Sequence, residues 1–165
     1  MPTPESQARV TASIDALRSS VAELRRTALD ILGNMGPMAE SATAVLSDVL
    51  RDPDTSIREG ACWVLSEIGP KAEAAVPSLI DALKDSEPRV RHWVAVALRQ
   101  IGTGAKAAFP TLVELLDDGF PGVRYRAASA LKRIIPAMAQ AMEEAHDSRE
   151  GWMKNLETKE PRLRA

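Results

Sequence analysis

Few side chains in this sequence could carry out catalytic chemistry. His92 and His146 are the only histidines of the 165 residues, and Cys62 is the only cysteine. Because zinc sites draw most of their ligands from these two residue types, a metal centre here would have to rely on carboxylates. No glycine-rich phosphate loop, dinucleotide-binding motif or nucleophile elbow is present. The sequence therefore predicts a protein that is not an enzyme and that holds no metal or cofactor.

Charge and composition narrow the class of protein further. The 21 basic and 23 acidic residues leave a net charge of −2, which does not draw the molecule as a whole to nucleic acid or to an anionic membrane. Cys62 alone cannot form an intramolecular disulfide, as expected in a reducing compartment. No apolar stretch approaches the ~18 residues of a membrane span, and the N-terminus lacks the features of a signal peptide. We expect a soluble, cytoplasmic protein.

The chain repeats itself every 33 residues without a gap. Leucines fall into the same columns of successive units, and so do aspartates and arginines. Self-similarity over this many columns is the signature of a repeat architecture. Four representative columns are Leu32, Leu65, Leu98 and Leu131; Leu46, Leu79 and Leu112; Asp52, Asp85 and Asp118; and Arg25, Arg58, Arg91 and Arg124.

Each unit contains two helical patterns separated by a short turn. From Val76 onward apolar residues fall at helical spacing, and a second such set begins at Val90, after the turn at residues 85–88. Just beyond the second set, three units have a glycine, which tolerates the positive φ that often ends a helix. A single hairpin cannot bury both of its apolar faces, so the units must stack. We predict hairpins at about 6–36, 37–69, 70–102 and 103–135, with Gly36, Gly69 and Gly102 closing the first three.

The residues of the unit resemble HEAT repeats, particularly the short type named after phycobilisome lyases. A proline stands in the first helix of two units, at Pro77 and Pro110, and an aspartate and a few turn residues lead to Val90-Arg91 or its equivalents. The resemblance covers roughly residues 10–136. It implies an all-α fold, a right-handed, armadillo-like α-solenoid closed by a C-terminal capping helix. Departures from the pattern are Ser19, Ala44 and Ile135, which replace the aspartate, the proline and the terminal glycine.

The aspartate and arginine columns predict a structural role. Asp85 and its equivalents precede the second helix, where a carboxylate can cap the N-terminus. Arg58 and its equivalents, one above another, could bridge the turns of adjacent repeats as a ladder of charges. We expect these pairs to be exposed and to contribute about 0–1 kcal/mol each, so that they set register more than stability.

Candidate binding residues lie where the units differ from one another. Placing the second helix of the second unit at 100° per residue leaves Glu59, Cys62, Trp63 and Ser66 facing outward. The HEAT resemblance implies that such second helices line a concave surface. Trp63 could be an exposed interface anchor or could fill a groove between repeats; groove filling is favoured for Trp93. The predicted partner-binding residues are Trp63, His92, Arg99, Tyr125, Ser129 and Lys132.

Beyond Pro136 the 33-residue period stops and an amphipathic stripe begins. We expect residues up to about 145 to cap the last repeat, and residues 146–165 to form an amphipathic helical extension with a disordered end. This extension could fold back on the array, reach a partner or join two copies of the chain. Its possible contact residues are Met142, Trp152 and Leu156.

These patterns favour one function and leave two alternatives. The favoured function is a non-enzymatic scaffold or adaptor that binds a protein or peptide on the concave face. Basic residues gather toward the C-terminal end of that face, as at Arg99, Lys132 and Arg133, which suggests a partner with an acidic segment. One alternative is an enzyme subunit of the HEAT-like lyase type that acts on a protein acceptor. The other is nucleic-acid binding through the basic end.

Overall fold

The regular structure of residues 3–136, which the computed structural model describes, is entirely helical. The predicted all-α stack of helical hairpins is confirmed. The predictions for Met142, Trp152 and Leu156 lie outside the described residues. The α-helices are α1 (Pro4–Leu17), α2 (Ala22–Met35), α3 (Thr43–Val49), α4 (Thr55–Ile68), α5 (Val76–Ala82), α6 (Pro88–Ile101), α7 (Phe109–Glu114) and α8 (Pro121–Ile134).

The second helix of each hairpin has the same length and the same kind of ending. The helices α2, α4, α6 and α8 each contain 14 residues. The first three end at glycines whose φ angles are 54°, 69° and 74°, in the region that a side chain disfavours. The helix α8 instead ends at Ile135, with φ of −131°. The predicted helix ends at Gly36, Gly69 and Gly102 are therefore confirmed.

The first helix of three hairpins begins with a segment that the sequence pattern did not predict. A 3-10 helix of seven residues precedes each of α3, α5 and α7, and its bounds are Gly36–Ala42, Gly69–Ala75 and Gly102–Ala108. A 3-10 helix has three residues per turn, so alanines three apart lie on one face. All six such alanines have no exposed surface: Ala39, Ala42, Ala72, Ala75, Ala105 and Ala108.

The core lies between the two layers of helices and continues from hairpin to hairpin. Leucines of the second helices and leucines of the first helices are both fully buried, and they belong to one continuous cluster of apolar side chains. The second helices also pack directly against one another along the stack. The leucines with no exposed surface are Leu32, Leu65, Leu98, Leu46, Leu79, Leu83 and Leu112.

The arginine and aspartate columns form the predicted ladder between adjacent repeats. Arg58 donates from Nε and Nη2 to the two carboxylate oxygens of Asp85, at 2.8 and 3.1 Å. Its Nη1 donates to the backbone oxygen of Asp52 at 2.8 Å, which fixes the guanidinium in its own repeat. Arg91 makes the same bidentate contact with Asp118, at 2.8 and 3.0 Å. Each rung therefore joins the second helix of one repeat to the turn of the next.

Two details of the ladder differ from the expectation. The paired side chains are only 8–15% exposed, so they are not surface ion pairs. The aspartates do not cap the second helix directly; the carboxylate of Asp85 accepts the backbone N–H of Glu87, which is the N-cap residue of α6. The first rung has one hydrogen bond fewer: Arg25 Nη2 donates to Asp52 Oδ1 at 3.3 Å, but Nε, although 2.9 Å from Oδ2, makes no hydrogen bond.

The ladder predicts a loss of stability in acid. The pKa of Asp118 is lowered chiefly by hydrogen bonds from Arg91, with burial opposing. For Asp85, burial is the largest influence and raises the pKa, but Arg58 and the N–H of Glu87 together bring it below the ordinary value. A lowered pKa in the folded state means that the stabilisation is complete well above the unfolded value of about 3.9 and is lost progressively as the pH falls through that value toward the lower folded one. Urea unfolding midpoints should therefore drop between about pH 5 and about pH 3.

The control for this acid effect is the double variant Asp85→Asn, Asp118→Asn. It should be less stable near neutral pH, and its midpoint should depend less on pH over the same interval. An equal acid sensitivity of the two proteins would contradict the assignment of the effect to these carboxylates.

Candidate functional site

The surface that could meet a partner is built from the partly or fully exposed side chains of α2, α4, α6 and α8, here called the second-helix face. The stack brings equivalent positions of adjacent helices side by side, 33 residues apart in sequence. Arg99 and Lys132 are equivalent positions near the ends of α6 and α8, and His92 and Tyr125 are equivalent positions in their first halves.

The aromatic residue predicted as an anchor contributes to packing between repeats. Trp63 is half-buried and packs against the core. Its ring lies so close to the backbone of Gly33 that a methyl group at position 33 would collide with it. Trp93 is also half-buried and packs against the core, with its ring edge-on to His92 at 5.8 Å. Both tryptophans thus pack between repeats, as the groove-filling alternative expects.

Two positions placed on the outward stripe are buried instead. Cys62 has no exposed surface and Ser66 is 6% exposed, with its hydroxyl donating to the backbone oxygen of Trp63. The neighbouring second helices cover both flanks of α4, so only a narrow strip of that helix reaches the surface. Burial also raises the pKa of the Cys62 thiol, which disfavours the thiolate that a nucleophile requires.

Ion pairs engage the arginines that lie between α2 and α4 and between α4 and α6 on the second-helix face. Arg26 lies 2.6 Å from a carboxylate oxygen of Glu23 and 2.9 Å from one of Asp54. In the next interval Arg89 reaches back to Glu59, at 3.1 Å. Little uncompensated charge remains at these positions to attract a charged partner.

The C-terminal half of the face has a different character. Arg99, Lys132 and Arg133 take part in none of the ion pairs found within residues 3–136. Tyr125 is 69% exposed, and the guanidinium of Arg126 lies over its ring at 5.6 Å. Ser129, one turn further along α8, is half-buried. Arg99, Tyr125, Ser129 and Lys132 are therefore on the same face, which is cationic and aromatic.

His92 is held as a neutral side chain at this end. Its pKa is lowered first by burial and then by the positive charge of Arg126. The Nε of Arg126 donates to His92 Nε2 at 3.3 Å, which requires that nitrogen to be unprotonated. The His92 side chain therefore links α6 to α8 through this hydrogen bond.

A groove of about 330 Å³ opens between the N-terminal ends of α6 and α8. Its walls include Trp93, Phe120 and His92, and Gly122 lies at its edge. Phe120 is the residue before α8 and is 53% exposed. Sequence reasoning missed this groove, because the signal is a missing side chain at Gly122.

Residues 3–136 show neither a metal-binding cluster nor a membrane-spanning helix. No group of three or more His, Cys, Asp or Glu side chains is arranged there to hold a metal ion. None of the helices in that range is both long enough and apolar enough to cross a membrane.

Comparison of the sequence with known families identifies the repeat. The sequence profile of HEAT repeats matches residues 10–99 and again residues 70–132. The chain belongs to the HEAT repeat family. The resemblance carried by the Asp and Val-Arg motifs is thereby confirmed.

Solved structures share the HEAT-type stack at low sequence identity. A designed armadillo repeat protein in complex with the peptide (KR)4 superposes with a TM-score of 0.67 and 17% identity, over 76% of this chain and 64% of the other. An engineered protein gives a TM-score of 0.63 and 24% identity, over 76% of this chain and 62% of the other. The HEAT chain thus spans less than two thirds of either protein, and these likenesses establish the fold alone.

A third similar structure comes from a natural assembly. The complex of CpcE and CpcF of phycocyanin lyase from Nostoc matches with a TM-score of 0.60 and 23% identity, over 79% of this chain and 80% of the other. No curated protein matches the sequence. The family and the fold of this HEAT chain are therefore established.

Proposed function

We propose that this HEAT chain is a non-enzymatic, cytoplasmic scaffold or adaptor that binds a protein or peptide along its second-helix face. The observation that supports this function is the division of charge along that face. Arg26 and Arg89 are neutralised by carboxylates in the first half, whereas Arg99 and Lys132 lie in no ion pair within the described residues. Cations kept free at fixed spacing are suited to a partner with an acidic segment.

The rigidity of the stack supports binding by this surface. Arg99 and Tyr125 project from 14-residue helices that are held by the core and the ladder. Little backbone entropy is lost on this side when a partner binds. We expect Arg99, Tyr125, Ser129 and Lys132 to contact the partner, with His92 at the edge, and Trp63 to act mainly by keeping α2 and α4 in register.

The similar structures are compatible with this proposal without identifying the partner. One is a designed repeat protein bound to a peptide, and another is a complex of two chains. The peptide in the first is basic, whereas the unpaired charges that α6 and α8 contribute to the present face are cationic. We therefore propose a partner of opposite charge to that peptide.

The CpcE–CpcF likeness favours one second candidate. The present chain covers 80% of the matched chain from that complex, so a subunit of a lyase-type enzyme that grips a protein acceptor is the alternative function. Such a subunit would need a second chain to complete its active site, because the buried Cys62 is unsuited to attack.

The scaffold function is tested by affinity capture from a nuclease-treated lysate of the source organism. A protein retained by the native chain should be lost by the variant Arg99→Glu, Lys132→Glu, because both substitutions reverse charges on the second-helix face. The control variant Lys84→Glu, Lys106→Glu makes the same change of charge at exposed positions outside the second helices and should retain the protein.

Equal retention by the two variants would contradict a binding role for the second-helix face. Capture of nothing by the native chain would contradict the scaffold function itself. Lyase activity in the eluted complex of this chain with the captured protein would favour the alternative function, a subunit of a lyase-type enzyme.

A further inference from the structure

The groove beside Gly122 exists because one column of the repeat loses its side chain. That column contains Glu23, Ser56, Arg89 and Gly122 in the four repeats. Where α2 meets α4, Ser56 accepts a hydrogen bond from Arg26 at 3.2 Å. Where α4 meets α6, Arg89 reaches Glu59 at 3.1 Å. Members of this column thus make side-chain contacts across the first two intervals, whereas Gly122 makes none across the third, where the hydrogen bond between Arg126 and His92 lies further along the helices.

The lining of this Gly122 groove has a definite chemistry. Trp93 and Phe120 provide aromatic surface, and the prolines that begin α6 and α8 add apolar edges. The ionisable side chains of the lining are Arg89 and His92, and no carboxylate is among the lining residues. A site of this size lies at the lower end of the range for ligand pockets. It is large enough for one bulky apolar side chain and too small for a folded domain.

The surroundings of the groove add positive potential. Arg126 stands behind His92 and takes part in none of the ion pairs found within residues 3–136, whereas Arg91, 5.9 Å from the ring of Phe120, is already paired with Asp118. The carboxylates of Asp85 and Asp118 accept the N–H groups of Glu87 and Phe120 at the starts of α6 and α8, so the positive potential comes from the basic side chains of these two helices, which contain no acidic residue. The exposed carboxylate of Glu87 opposes this in part. An apolar group that carries negative charges beside it fits this site better than a cation or a neutral chain does.

We propose that the Gly122 groove is the anchor site for the partner: it takes one large aliphatic or aromatic side chain of a peptide segment whose flanking residues are acidic. This inference rests on the proposed function and adds the anchor to it. The apolar side chain would lie against Trp93 and Phe120, while the flanking carboxylates would lie toward Arg99 and Lys132, further along the second-helix face, because Arg89 is already paired with Glu59. Burial of the anchor supplies affinity, and the cations select the acidic flanks.

The variant Gly122→Leu fills the groove without disturbing the fold. Gly122 is the second residue of α8 and is not among the described glycines with positive φ, so a side chain is compatible with its backbone. A methyl group there would lie 3.6 Å from His92 Nδ1, an ordinary contact distance. The matched control is Gly119→Leu, in the preceding turn, where an added methyl group would meet nothing within 4 Å.

The probe is the peptide acetyl-Glu-Glu-Leu-Glu-Glu-amide. Its binding to the full chain is mapped by the NMR chemical shifts of the backbone amide and tryptophan indole groups. We expect shifts at Trp93 and in the first turns of α6 and α8. Affinity should fall at least about tenfold for Gly122→Leu and for a peptide with alanine at the centre or glutamines at the flanks, and it should be unchanged for Gly119→Leu. Equal binding by Gly122→Leu and native chains, or no shifts up to millimolar peptide, would overturn the anchor site.

Two other occupants have distinct outcomes, and either would overturn the proposal. If the added peptide, or Gly122→Leu alone, shifts the signals of residues 137–165, the groove is filled by this chain's own C-terminal segment. If light scattering shows a dimer that Gly122→Leu dissociates, the occupant is a second copy of the chain.

The capture experiment separates failure of the anchor from failure of the scaffold function. A partner that Gly122→Leu retains but Arg99→Glu, Lys132→Glu loses would overturn the anchor site and leave the scaffold function in place. A partner retained by both variants would contradict both. Loss of the partner by each variant, with retention by Gly119→Leu, is the result that we expect.

Discussion

Replacing Leu98 with alanine should lower the free energy of unfolding by about 2–5 kcal/mol. Leu98 has no exposed surface and lies in α6, which packs against both α4 and α8. The substitution removes buried apolar surface and leaves a cavity that helices held on both sides cannot close by moving together. Urea unfolding followed by far-ultraviolet circular dichroism measures the change.

Leu24 provides the matched control for this substitution. It lies in α2, a helix of the same length, but is 50% exposed. Leu24→Ala should change the free energy of unfolding by no more than about 0.5 kcal/mol. If both substitutions cost the same, the leucine column does not hold the interior of the array together as described.

Replacing Asp85 with asparagine should cost about 1.5–3 kcal/mol, the range for hydrogen bonds to charged groups. Asparagine keeps the size of the side chain and can still accept the N–H of Glu87. It cannot supply the charge that Arg58 meets with two hydrogen bonds, at a place where both side chains are less than 15% exposed. The guanidinium would remain shielded from water with a weaker partner.

The pair Arg51–Asp81 is the control for the ladder. It also joins an arginine to an aspartate, at 3.1 Å, but its side chains are 63% and 71% exposed. Asp81→Asn should therefore cost at most about 1 kcal/mol. Both variants should be unfolded with urea, which is uncharged, because guanidinium chloride is a salt and would screen the ion pairs that are being compared. Equal costs would mean that shielding of the ladder from water has no effect on its strength.

The period of the sequence was sufficient to predict the stack. A leucine such as Leu65 and a glycine such as Gly69 recur because every repeat meets the same neighbours, so one unit shows what all must bury and where each helix must end. The pairing of Arg58 with Asp85 followed from the same columns. Its burial did not follow, because the spacing of charges along a chain does not show how much of the adjacent turns covers them.

Local patterns also failed to predict how each hairpin begins. The segment Gly69–Ala75 has the glycine and proline of a turn, and its alanines are too small to mark an apolar face on their own. Their spacing of three residues is the signal that was available, since it matches the 3-10 period and not the α-helical one. These alanines are buried where the 3-10 helices of neighbouring repeats contact each other.

The candidate site was the least predictable part, because it depends on contacts between repeats. A helical projection treats α4 as a single helix and therefore leaves Cys62 and Ser66 outside, whereas the flanking helices cover them. Likewise the projection gives Trp63 an outward direction but cannot show that Gly33 receives its ring. The Gly122 groove is invisible to any rule that looks for functional side chains, since its cause is the absence of one.

Each arginine of the ladder pairs with the aspartate of the following repeat, and the first repeat lacks the aspartate that would receive an arginine from a preceding one. Ser19 replaces the aspartate of this column, yet its hydroxyl still accepts the N–H of Val21 at 3.1 Å, and its backbone oxygen accepts from Arg25 at 2.8 Å. Serine thus keeps the turn but offers no carboxylate. If a second copy were stacked beneath the first repeat, its Arg124 would meet a neutral hydroxyl where every internal arginine meets a charge. The mismatch works against end-to-end growth into filaments, the characteristic hazard of a molecule whose units are made to stack.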